Sequence, residues 1–537
     1  MSSHVARTLM IQGTASSVGK SVLVAALCRI FRQDGYRVAP FKSQNMALNS
    51  FVTKEGGEIG RAQAVQAEAA GVEPSVDMNP ILLKPEADHR SQVIVLGKVY
   101  KNLAAREYYG HTPHLLSVIE SSLNRLRSQY DIIVIEGAGS PAEINLRERE
   151  IVNMRVAQMA EAPVLLVGDI DRGGVFASLV GTLELLTEEE RELVKGLIIN
   201  KFRGDVSLLT PALDFVEKRT GKPVLGVVPF FKDIKVAQED SVWLEEQHEV
   251  ADGKSLDVAV IGLPHMSNYD DFDPFDEMGC TVRYVADATQ MGNPDLIILP
   301  GTKTTVADLS HIRARGLAAV VVRRARSGTP VIGICGGYQM LGRLIHDPAH
   351  VESAETTVEG LGLLDIETTF AATKTTTQVK AKVMADRGLL RGLGGVELTG
   401  YEIHMGQNSE LRAQESEVRN PPARGSSPLV RGTTGGHEPT PEAPFQITET
   451  PEGRASYLDG AASEDCHIFG SYIHGLFHNA VFTAALLDRL REKKGLSASE
   501  APLFDKEAQY DELARLVRGS LDMNKVYSIT LGVSDIG

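Results

Sequence analysis

Apolar residues in this chain come in short β-branched runs that end in glycine-rich or polar loops, and stretches with apolar residues at helical spacing lie between them. In the first half the runs are Thr8 to Gln12, Arg37 to Lys42, Asp131 to Ile135, Pro163 to Val167, Gly196 to Ile199 and Val224 to Pro229. Their continuous apolar character, without alternation, predicts strands buried on both faces of a parallel sheet. Val22 to Phe31 and the alanine-rich segment after Gly60 predict helices. The alternation gives a doubly wound α/β domain over about residues 1–235. A polar, acidic stretch at 236–255 reads as a linker, and a second α/β series fills 256–490 with runs at Val258 to Gly262, Leu296 to Leu299 and Val331 to Ile334. Residues 410–445, rich in Pro, Gly, Ser, Thr and charge, read as a flexible surface insertion because they offer little to bury. Residues 491–537 form a tail in which Tyr510 to Leu521 has helical amphipathic spacing, expected to pack on the surface.

Size and composition narrow the picture. At 537 residues the chain exceeds one core, so two domains are expected. Lys plus Arg total 55 against 70 for Asp plus Glu, a net charge of -15, which gives no electrostatic case for nucleic acid. Cys28, Cys280, Cys335 and Cys466 are far apart and form no metal-ligand or disulfide pattern, as suits a reducing cytoplasm. The first strand begins too near the N-terminus to leave room for a signal peptide, and no apolar run approaches a membrane span. A cytoplasmic protein acting on small molecules is expected, with homo-oligomerisation open.

The chemistry lies in the loops at strand ends. Gly13-Thr14-Ala15-Ser16-Ser17-Val18-Gly19-Lys20-Ser21 stands between a strand and a helix, the context of a phosphate-binding loop, with five residues between its glycines where four are usual. Backbone N–H groups from Ser17 to Lys20 would face the phosphates of a nucleotide, Lys20 would neutralise them, and the Ser21 hydroxyl could hold magnesium. Glu136, at the carboxyl end of its strand, is the leading second metal residue, and Asp169 is a further candidate. Asn200 stands where a base could be read, and Lys42, Gln44, Asn45 and Asp171 are substrate-binding candidates on the same edge.

Cys335 sits between a β-branched strand and a helix, flanked by Gly333, Gly336 and Gly337, in the setting of a nucleophile elbow. A helix N-terminus favours the thiolate, and backbone N–H groups at Gly301 and Gly336 are the oxyanion-hole candidates. The base is His474, in a glycine-flanked loop after an apolar segment, with His467 and His478 as rivals.

The longer glycine loop, Glu136-Gly-Ala-Gly and the Asn200 loop resemble the dethiobiotin synthetase type of nucleotide-binding domain. Phe41-Lys42-Ser43-Gln44-Asn45-Met46, Gly57-Glu58-Ile59, Met78-Asn79-Pro80 and Leu83-Lys84-Pro85 resemble a narrower group, the cobyric acid synthases of cobalamin biosynthesis. The second half resembles the triad-type (class I) glutamine amidotransferase domain of the cobyric and cobyrinic acid amidotransferases, including Gly400-Tyr401-Glu402-Ile403-His404-Met405-Gly406. The resemblance implies a ligase that uses ATP, Mg2+ and glutamine to amidate carboxylates b, d, e and g of adenosylcobyrinic acid a,c-diamide. In it Cys335 attacks the glutamine amide and His474 moves protons. The wider class has a Glu two residues after the His, where this chain has Leu476, so what orients His474 is open. Three other readings stand beside this one: a cobyrinic acid a,c-diamide synthase, a nucleotide-switch ATPase with a silent second domain, and an amidase whose first domain regulates.

Overall fold

The computed structural model describes residues 5–87, 90–231, 234, 255–410, 443–498 and 505–532. The linker at 236–255, except Ser255, and nearly all of the 410–445 insertion lie outside them. The first half is a six-stranded parallel sheet in the order Val224–Pro229, Val194–Phe202, Val164–Asp169, Arg7–Gly13, Ile132–Glu136, Val38–Phe41. Every residue of Ile132–Glu136 is buried, as the unbroken apolar run requires. Apolar clusters fill both faces of the sheet, so the chain reverses across a central strand and the glycine loop emerges at the carboxyl edge.

The second half repeats the plan with Thr281–Val285, Asp257–Ile261, Leu296–Leu299, Val331–Ile334 and Ile468–Ser471, parallel throughout, and Ala461–Ala462 antiparallel at the edge. Both halves are therefore α/β. The chain adds a seven-stranded sheet whose long members, Ile366–Val383 and Glu397–Glu410, run antiparallel. The short strand Ile473–His474 pairs with Glu397–Glu410, setting Tyr401 opposite His474.

The tail differs from its expected surface position. Helices Lys506–Ser520 and Met523–Leu531 bury Tyr510, Leu513, Ala514, Val517 and Val526 in the core of the first domain, against helix Lys20–Gln33. Arg29 fixes the contact by pairing with Glu507 and Asp511, each at 2.7 Å. An amphipathic pattern says that a helix has an apolar face; it does not say which domain covers it.

Candidate active sites

The glycine loop is held in shape by backbone geometry. Ser17 and Gly19 take positive φ, 59° and 94°. The Asn200 side chain donates to Val18 O at 2.8 Å, and Lys201 donates to Ser17 O at 2.6 Å, so both brace the loop. A Cβ on Gly13 would lie 2.5 Å from Val18 Cγ2, which places both behind the loop, and Thr14 N donates to Val167 O at 2.9 Å. In front is a cavity of about 490 Å³, lined by Ser17, Gly19, Lys20, Ser21, Lys42 and Glu136 among others. Lys20 Nζ donates to the carbonyls of Ala15 at 2.9 Å and Gly139 at 3.2 Å.

Glu136 is the hub of this cavity. Its Oε1 accepts from Ser21 at 2.7 Å and Lys42 at 3.0 Å, and its Oε2 accepts from Gln66 at 2.6 Å. Burial raises its pKa, but Lys42 and the hydrogen bonds of Gln66 and Ser21 outweigh that and hold the carboxyl ionised. Asn45 and Asp171 also line the cavity; Asp171 pairs with Arg203 at 2.8 Å. Asp169, also lining it, pairs with Lys201 at 3.0 Å. Gln44 is outside the lining, and its Oε1 accepts from the Tyr108 hydroxyl. Among the described residues no three His, Cys, Asp or Glu gather as a metal cluster.

The second site centres on Cys335, whose φ of 50° and ψ of -110° carry the strain of an elbow. A Cβ on Gly337 would lie 2.0 Å from Leu299 O, so the turn after the cysteine can pass the neighbouring strand only as glycine. The backbone N–H of Cys335 donates to Ser471 O at 2.9 Å, which ties the elbow to the strand leading into His474. Cys335 and His474 line one cavity, in which the Cys335 thiol donates to Ile403 O at 3.4 Å. His474 Nδ1 lies 2.7 Å from Asp271 Oδ2. Burial pulls the imidazolium down, and Asp271 and Cys335 overcome this to push the pKa up to about 10. The ring thus stands in its charged form between Asp271 and Cys335.

Gly301 lies against the ring, where a Cβ would stand 2.9 Å from His474 Cε1, and Gly336 lies against Thr302. The cavity here is about 60 Å³, with Gln339, Glu352, Lys374 and His404 in its wall. His467 instead pairs with Asp465 at 3.2 Å, and His478 bonds Asp270 O at 2.8 Å.

Two family models match the chain in the same order as its two α/β halves. Residues 9–242 match the CobQ/CobB/MinD/ParA nucleotide binding domain and residues 257–482 the CobB/CobQ-like glutamine amidotransferase domain. Over nearly its full length the chain is similar to the cobyric acid synthase of Dehalococcoides mccartyi strain CBDB1, 56% identical across 98% of this chain and 99% of that one. The chain belongs to the cobyric acid synthase family. Family proteins from Sorangium cellulosum, 52% identical over 96% of this chain and 97% of theirs, and Pelotomaculum thermopropionicum, 50% over 98% and 97%, match similarly. Within the family the first half is the nucleotide-binding part and the second the amidotransferase part of an ATP-dependent, glutamine-hydrolysing ligase. Among the described residues no helix is long and apolar enough to cross a membrane.

Sequence reading missed Asp271. It lies 203 residues before His474, in Asn268 to Glu277, where several acids stand close together and none is marked by spacing. Gln66 was missed because it lies inside an alanine-rich helix whose composition explains the helix without it.

Proposed function

We propose that the chain makes cobyric acid by amidating carboxylates b, d, e and g of adenosylcobyrinic acid a,c-diamide, with ATP and glutamine consumed at each step. The observation that carries this is the presence in one chain of two different constellations, Cys335, His474 and Asp271 in one half and the Glu136-centred phosphate-loop cavity in the other.

In the amidotransferase half the Cys335 thiolate attacks the carboxamide carbon of glutamine. The tetrahedral oxyanion forms near the backbone at Gly301 and Gly336, and His474 gives its proton to the leaving ammonia. Water then cleaves the thioester, with His474 as base, and glutamate leaves. Asp271 keeps the imidazole oriented through Nδ1 and favours its charged form.

In the other half Lys20 and the backbone of Ser17 to Lys20 receive the phosphates. A corrinoid carboxylate oxygen attacks the terminal phosphorus, ADP leaves, and an acyl phosphate forms. Ammonia attacks its carbonyl carbon and phosphate departs. Lys42 and Asn45, which line the cavity, would orient the carboxylate. The donor set suits magnesium: Ser21 and Glu136 offer oxygen only, and a small number of protein oxygens leaves room for phosphate and water. Magnesium bound there would neutralise charge on the phosphates.

Mass spectrometry of the corrinoid after incubation with ATP, magnesium and glutamine tests the assignment. Four added amides are expected. No amides on the a,c-diamide but two on unamidated cobyrinic acid would indicate a cobyrinic acid a,c-diamide synthase, and none on either, with ATP hydrolysed, a nucleotide switch.

A further inference from the structure

His474 is held on two sides by Asp271 and Tyr401, which belong to segments of the amidotransferase half that contact the nucleotide-binding half. On one side, Asp271 commits both oxygens, Oδ2 to His474 Nδ1 and Oδ1 to the Gly475 N–H, each at 2.7 Å. Its neighbour Asp270 is equally buried, and neither of its oxygens has an aligned hydrogen bond. The charge of Asp270 is met by Arg61, whose Nε lies 2.7 Å from Oδ2.

Arg61 opens helix Arg61–Ala70 of the nucleotide-binding half, and its guanidinium also lies over the Phe51 ring at 5.5 Å. On the other side, Tyr401 stacks on the imidazole with centroids 5.5 Å apart and planes at 18°. The Tyr401 hydroxyl donates to Ser50 O at 3.2 Å, again across the domain boundary. The same helix reaches the other site, since Gln66 donates to Glu136 at 2.6 Å. One ten-residue helix thus touches the supports of both centres.

Burying two charges is costly, and a pair of apolar side chains would hold the halves together at least as well. A buried Arg61–Asp270 pair next to the carboxylate that holds His474 therefore points to placement, with adhesion secondary. We propose that Arg61 is a positioning residue for glutamine hydrolysis. It fixes the Asp270–Asp271 segment, and through Asp271 the His474 ring, so that the amidotransferase site is complete only with the nucleotide-binding half docked against it. This rests on the reading that Cys335 and His474 hydrolyse glutamine.

The test uses the full-length protein and the variants R61A, R61K and D270N. It compares amidation supported by glutamine with amidation supported by ammonium chloride, and follows the rate at which iodoacetamide alkylates Cys335. In R61A and D270N, kcat with glutamine should fall at least about tenfold, KM for glutamine should stay within about threefold, and the ammonia-supported rate should hold. Alkylation of Cys335 should slow alongside kcat. R61K, which keeps the charge, should recover a measurable part of the loss.

Equal losses with glutamine and ammonia in both R61A and D270N would make the pair structural and overturn the inference. So would an unchanged glutamine rate, or an R61K no better than R61A. A wild type that releases no ammonia from glutamine removes the underlying functional reading instead.

Discussion

The two sites stand at matching edges of two similar sheets, yet they are built from different materials. Around Cys335 the shape comes from side chains: Cys335, His474 and Asp271 are all buried, each has a named partner, and the space left is about 60 Å³. Around the glycine loop the shape comes from the backbone, and the space is about 490 Å³. The charges there are parked on one another, Lys42 on Glu136 and Lys201 on Asp169. The difference follows from what each site receives. A side-chain amide is small and uncharged, so its catalytic groups can be fixed in advance. A nucleotide brings several negative charges, and cations left unpaired in a buried cavity would be expensive until it arrived.

Cys335→Ala separates the halves most sharply. Glutamine-supported amidation should fall by about 10⁴-fold or more while ammonia-supported amidation persists, measured as product formed with each nitrogen source. Equal loss with both sources would mean that the two sites are not chemically separable.

Asp271→Asn should cost about 10²- to 10⁴-fold in kcat for glutamine, read by glutamate release. It also makes a pH test. The folded pKa of His474, about 10, lies above the ordinary value near 6.5, so its stabilising contribution is complete below about pH 6.5 and lost as pH rises through 10. The stability advantage of wild type over Asp271→Asn should therefore shrink between those limits in denaturant titrations. An advantage that stays constant or grows would show that Asp271 does not hold the charged imidazole.

Leu513→Ala asks whether the tail belongs to the first domain. Leu513 is wholly buried, and its truncation should cost about 2–5 kcal/mol, read in chemical denaturation of the nucleotide-binding half. Arg518→Ala, which breaks a half-exposed pair with Asp34 on the same contact, should cost at most about 1 kcal/mol. If the Leu513 loss appeared in the unfolding of the amidotransferase half, the assignment of the tail would be wrong.

What the sequence made legible was local. Strand Ile132–Glu136 announces itself by an unbroken apolar run, and the elbow at Cys335 by the glycines around it, because strand burial and turn strain are decided within a few residues. The antiparallel pairing of Ile366–Val383 with Glu397–Glu410 was not legible, since alternation along one strand does not name its partner. Contacts between halves were hidden in the same way. Nothing near Arg61 indicates an acid at position 270, and nothing in Asn268 to Glu277 says which acid meets a histidine.

The helices at 506–531 follow the whole amidotransferase half in sequence, yet they complete the core of the nucleotide-binding half. During synthesis the first domain therefore waits with one flank of helix Lys20–Gln33 uncovered while the second is made and folds. A chain interrupted between residues 235 and 506 carries an exposed apolar surface on an otherwise finished domain, which a whole chain covers.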